Sequence, residues 1–186
     1  MTTFKYLSFF LLWTATSTAS CQNHSYKTNA KNNHVRSLTR QHIHDSLPKP
    51  SGYLNDFEYL FTESERTTID SLLLDFANRT SIQVAVVTIA TSMTTNDSLD
   101  AFTLKIANSW GVGQKGKNNG VLVGISRAYR KIRIQNGYGI EKILTDLETK
   151  EIIETDFIPS FRDAEYFHGT LIGLKSLMTI LEERYK

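Results

Sequence analysis

The stretch Ser109–Ser126, SWGVGQKGKNNGVLVGIS, offers two readings of one loop. From Gly111 it spells G-x-x-x-x-G-K, most of a phosphate-binding P-loop, but Asn118 stands where a Ser or Thr hydroxyl would meet magnesium. In a P-loop a strand enters the glycine turn and a helix leaves it, so amide donors and the positive end of the helix face phosphate. Here the order is reversed. Leu99, Phe102, Ile106 and Trp110 fall at helical spacing before the turn, with Asn96 or Asp97 as the cap, and an apolar run, Val121–Ile125, follows it. The glycines therefore sit at a helix C-terminus, whose carbonyls repel phosphate and favour cations. No nucleotide is expected. Gly111 as a helix cap followed by a floppy polar loop is the ordinary alternative to a binding role.

Working outward, Thr62 and Glu65 form a capping box before Ile69, Leu72, Leu73, Phe76 and Ala77, a single apolar stripe. Ile82–Ala90 is almost wholly apolar and β-branched, which predicts a strand covered on both faces. Lys131–Gln135 alternates and predicts a strand with one wet face, joined to its predecessor through Arg127–Arg130. A helix is expected from Asp146 to Ile158, stopped by Pro159, and a last one from about Ala164 to Tyr185 with Phe167, Leu171, Leu174, Met178 and Leu181 inward. This order places helices on both sides of a small mixed sheet.

The N-terminal part reads differently. Lys5, the short apolar run Tyr6–Trp13 and the small residues to Ser20 form an export signal over residues 1–20, too short to span a bilayer. Cys21, the only cysteine, follows at once, as in the lipobox of bacterial lipoproteins, although Thr18 replaces the usual Leu. A lipid on Cys21 would anchor the chain to a membrane facing the periplasm or cell exterior; a plain secretory signal with an incidental Cys is the alternative. Residues 22–51 hold five Lys/Arg, one acid and no sustained period, the composition of a disordered basic tether. Their four histidines, His24, His34, His42 and His44, are irregularly spaced and read as solvated linker rather than a metal site. Residues 52–186 keep 15 of 21 Lys/Arg and 18 of 19 Asp/Glu, a charge of −3, with no basic footprint for nucleic acid. They suffice for one domain.

Five phrases in order carry a resemblance: GYLNDFEYLFTESE at 52–65, IQVAVVTI at 82–89, WGVGQKGKNNGVLVGIS at 110–126, KIRIQNGYGIEKILTD at 131–146 and FIPSFRDAEYFHG at 157–169. Together they look like the TPM domain, shared by a thylakoid-lumen acid phosphatase, a photosystem II repair protein and many exported bacterial proteins. The resemblance covers residues 52–186. It implies a three-layer α/β/α sandwich around a mixed sheet of about four strands, with an acidic loop cluster binding calcium or another divalent cation such as magnesium. By the same resemblance the metal-site residues are Asp56, Asn118, Asn119, Glu141 and Asp146, with Asn118 in place of an Asp. Oxygen donors gathered from glycine-rich loops suit such hard cations. Ordinary duties are available too: Asp56 finishing a turn and Asp146 capping a helix.

Two functions follow, beside a third possibility that the site is empty and the domain purely structural. The first is a lipid-anchored, cation-binding module that docks on an unidentified envelope or membrane protein and assists assembly or repair. The second is a weak metal-assisted acid phosphatase, with the ion at Asp56, Glu141 and Asp146 activating water. The domain offers no cysteine nucleophile and a single histidine, His168, and no catalytic residue is assigned. Arg162 either contacts phosphate or, more ordinarily, pairs with Asp163 or Glu165. The binding module ranks first.

Overall fold

A computed structural model describes residues 47–185. The expected export signal over residues 1–20, Cys21, the four histidines of the expected tether and most of the 22–51 segment lie outside the described residues. Four strands form one sheet in the order β1 (Leu54–Asp56), β2 (Gln83–Thr88), β3 (Gly120–Ser126) and β4 (Lys131–Asn136). The first three run parallel and β4 closes the sheet antiparallel. The fold is the expected α/β/α sandwich around a mixed four-stranded sheet. The central strand β3 is buried along its whole length, because it has neighbours on both edges and helices on both faces. β1 escapes sequence reading because it is three residues long and two of them are Asn55 and Asp56. It is an edge strand, and its Leu54 amide donates instead to Asp70 Oδ1 of the first helix at 2.9 Å.

Five α-helical segments cover the sheet: α1 (Glu63–Thr80), α2 (Leu99–Trp110), α3 (Asp146–Ile152), α4 (Ile158–Arg162) and α5 (Tyr166–Arg184). The Thr62–Glu65 capping box forms as expected, and Ile69, Leu73 and Phe76 are buried. Those residues join Val84, Val86, Val121 and Val123 in the larger core, which α5 completes through Leu174, Leu177 and Leu181. On the other face, α2 alone packs Leu99, Phe102 and Ile106 against Ala85, Val87 and Leu122. The strands β1, β2 and β3 advance in one direction, yet α1 and α2 lie on opposite faces. Crossovers on opposite faces have opposite hands, so one of the two is of the uncommon left hand.

Three expectations need correction. Neither Asn96 nor Asp97 caps α2; Ser98 occupies the cap position and its side chain makes no cap bond. Pro159 does not stop the third predicted helix. A π-helical turn, Ile153–Phe157, carries the chain from α3 into α4, with Pro159 just beyond the turn, at the second position of α4. Leu47 and Pro48, expected to belong to the tether, are also engaged with the domain. Leu47 packs on the smaller core, and the Trp110 indole N–H donates to the Pro48 carbonyl at 2.7 Å.

A second capping box starts α3. Glu148 accepts from the Thr145 backbone N–H at 2.9 Å and from its hydroxyl, and pairs with Arg184 of α5 at 2.8 Å. The Thr145 amide, followed by Arg184, lowers the Glu148 pKa from 4.5 to about 2. A depressed carboxylate stabilises the fold fully above its unfolded value, and that contribution disappears as pH falls through 4.5 toward about 2. Glu148→Gln is therefore expected to melt below the parent at pH 7, with the gap closing as pH approaches the lower value. Thermal scans across this range check it; a gap independent of pH would contradict it.

Candidate functional site

The five residues suggested by the resemblance divide between two ends of the sheet. Asp56 closes β1 opposite Thr88, and Thr88 is opposite Ile125 on β3. Asn118 and Asn119 precede Gly120, where β3 begins opposite Gln83. Five residue steps separate the Gly120 and Ile125 levels, about 16 Å along the sheet. Asp56 is thus at the carboxyl end of the parallel strands and the Asn pair at the amino end.

The Asp56 carboxylate is fully engaged. Its side chain is 1 % exposed. Oδ1 accepts from the Leu60 amide at 2.9 Å and the Thr88 hydroxyl at 2.7 Å, and Oδ2 accepts from the Phe61 amide at 3.0 Å. Arg66 adds an ion pair at 3.8 Å. The two amides belong to the turn between β1 and α1, so this carboxylate folds the chain back over the strand end. Its lone pairs already face donors, which leaves a poor metal ligand.

Asn119 is likewise structural. It is fully buried, its Oδ1 accepts from the Gln114 amide at 2.8 Å, and its Nδ2 donates to the Ser81 carbonyl at 2.8 Å. With the Gly113 amide donating to Gln83 Oε1 at 2.8 Å, these bonds hold the 111–119 loop to the sheet. Gly111 caps α2 as expected, but the rest is not a floppy loop. Asn118 has φ +51°, and its carbonyl accepts from the Gly139 amide at 3.0 Å. A Cβ on Gly139 would collide with the Lys117 carbonyl, so glycine there permits the 137–141 turn to lie directly on the loop.

Asn118, Glu141 and Asp146 share the amino end and are all exposed. The Asn136 amide at the end of β4 donates to Thr149 of α3 at 2.9 Å, which brings the start of α3 to the same end. Of the resemblance set only two carboxylates, Glu141 and Asp146, lie at this end, and the neighbouring Glu148 is taken up by Thr145 and Arg184. Asp146 occupies the first turn of α3, where the positive helix end already complements it; Thr145 is the cap. Lys115, Lys117 and Lys142 lie in the same two turns. Asn136 Oδ1 is buried without a donor, a single neutral oxygen that does not replace absent carboxylates. The five residues do not fit one divalent-cation site, and among the described residues no three of His, Cys, Asp or Glu are grouped to hold a metal.

The carboxyl end holds a side chain that the sequence did not disclose. Glu58 accepts from the backbone amides of Arg127 at 2.8 Å and Ala128 at 3.3 Å, pinning the β3–β4 turn beneath the β1–α1 turn. Nothing in its position along the chain signals this, since the contact spans 69 residues.

Comparison with known proteins agrees with this architecture. The TPM domain profile matches residues 54–180. The chain belongs to the TPM domain family. Three solution structures resemble it. The N-terminal domain of a P. gingivalis protein shares 29 % identity at a TM-score of 0.64, over 72 % of this chain and 86 % of that one. A protein from the psychrophilic Bizionia argentinensis shares 17 % at 0.59, over 69 % and 86 %. An N-terminal domain from Corynebacterium glutamicum shares 16 % at 0.52, over 73 % and 83 %. The last two speak to fold alone. No curated protein matches the sequence. The TPM domain here thus has a shared scaffold, and its function rests on its own side chains.

Proposed function

We propose that this TPM-domain chain is a non-catalytic docking module, exported, held at a membrane surface by a lipid on Cys21, and engaged with an envelope protein during assembly or repair of a membrane complex. One observation carries the reading: Asp56, the most buried carboxylate of the resemblance set, is saturated by internal donors and 1 % exposed. The Cys21 position after a run of small residues supports the anchor, and no helix among the described residues is long and apolar enough to cross a membrane.

The test uses the full chain expressed in a bacterial host. Labelled palmitate is expected to enter the protein and to be lost in Cys21→Ser. Purified protein is expected to hydrolyse hexyl phosphate no faster with calcium or magnesium than without, and calorimetry is expected to show no saturable cation heat that Glu141→Gln removes. Cation-dependent turnover abolished by Glu141→Gln or Asp146→Asn would instead establish the phosphatase reading.

A further inference from the structure

At the carboxyl end of β3, on the α5 side of the sheet, lies a cavity of about 720 Å³. That is within the range of sites that enclose small molecules, roughly 300–1,000 Å³. Its composition is one-sided. Arg127 and Arg130 reach it from the β3–β4 turn and Arg162 from the end of α4, and no carboxylate lines it. Among the described residues none of these three guanidiniums forms an ion pair. The bond expected between Arg162 and Asp163 or Glu165 is not made. Lys131 also borders the cavity, but its ammonium donates to the Asn96 carbonyl at 3.0 Å.

The walls between these cations are apolar. Ile132, Ile158, Phe161 and Tyr166 supply them. The Phe161 and Tyr166 rings stand 5.2 Å apart, and Phe161 meets buried Phe157 edge-on at 6.0 Å, so the aromatic wall is braced from beneath. The turn that carries two of the arginines is braced as well. Glu58 holds its amides from one side, and the Tyr129 hydroxyl ties its tip to the Thr94 carbonyl at 2.8 Å on the other. Three like charges bordering one cavity repel each other, and an oxyanion relieves that repulsion while accepting their forked N–H groups.

The geometry points to a binding site for a small amphiphilic oxyanion, an apolar body ending in a carboxylate or phosphate. The arginines take the charged end and the Phe161–Tyr166 wall takes the body. This site is separate from the amino-end residues and stands whether or not the domain is catalytic.

Four ligands separate the contributions in calorimetric titrations of the full chain: hexanoate, hexyl phosphate, neutral hexanamide and acetate. Hexanoate and hexyl phosphate are expected to saturate one site, at least tenfold tighter than hexanamide or acetate, and to weaken with added salt. Whichever of the two binds tighter assigns the source as a carboxylate-ended or a phosphate-ended ligand. Arg162→Gln and Arg130→Gln are each expected to weaken the better ligand about tenfold without moving the melting temperature, and Lys115→Gln at the opposite end of the sheet to leave it unchanged. Equal binding of hexanamide and hexanoate overturns the proposal, as does undiminished binding to the Arg130→Gln, Arg162→Gln double variant.

Discussion

Replacing Asp56 with Ala is expected to destabilise the domain by about 3 kcal/mol, with or without divalent cations present. The change removes the acceptor of two backbone amides and of the Thr88 hydroxyl, and leaves Arg66 with one fewer counter-charge. Thr88 also accepts from the Glu58 amide at 2.9 Å, so the loss reaches the turn that positions Glu58. Asp56→Asn should fall between parent and Ala, because the amide retains one acceptor oxygen but turns an N–H₂ toward a donor. Denaturant titrations of the three proteins measure this. If Asp56 served as a cation ligand, its replacement would leave the metal-free protein unaffected or stabilise it by removing charge. A stability loss only in calcium would therefore refute the structural role.

The second large effect concerns α5. Gly→Ala within a helix ordinarily stabilises by about 0.5–1 kcal/mol. Gly173→Ala is expected to do the opposite, costing about 3 kcal/mol. A Cβ at this position falls well inside contact distance of three ring atoms of Phe157, which is fully buried. Phe157 ends the π-helical turn, so its ring cannot withdraw without disturbing the path from α3 into α4. Phe157→Leu alone should destabilise, yet combined with Gly173→Ala the two losses should be less than additive, since the smaller side chain leaves room for the methyl. Additive losses in a double-mutant cycle would show that the helix contact is not the cause.

The elements that were legible in the sequence are those whose signal is local. Thr62 and Glu65 act three residues apart, and the β-branched run through Val84–Val87 reads as buried from composition. β1 has no such signal; register with β2 makes it a strand. The π-helical turn was hidden because Pro159 predicts an end, whereas the helix continues past Phe157, whose buried ring packs against Gly173 of α5. The five residues of the resemblance are dispersed for a similar reason. Asp56, Asn118 and Glu141 read as one group of acidic and amide residues, but parallel pairing of β1, β2 and β3 puts Asp56 and Asn118 at opposite ends of the strands, and antiparallel β4 brings Glu141 to the end that holds Asn118. The arginine pair did leave a trace, Arg127 and Arg130 bracketing a four-residue turn. Its meaning required Arg162, 32 residues beyond Arg130 and brought near by the fold.

The contact between Trp110 and Pro48 also gives the domain a mechanical polarity. The chain enters the packed unit across the face that a single helix covers, so tension on the N-terminal segment loads the indole hydrogen bond and the Leu47 contact first. The larger core, built by α1 and α5 on the opposite face, is shielded behind the sheet. A pull from the N-terminal side therefore meets these two contacts before it reaches β1, the next element along the chain.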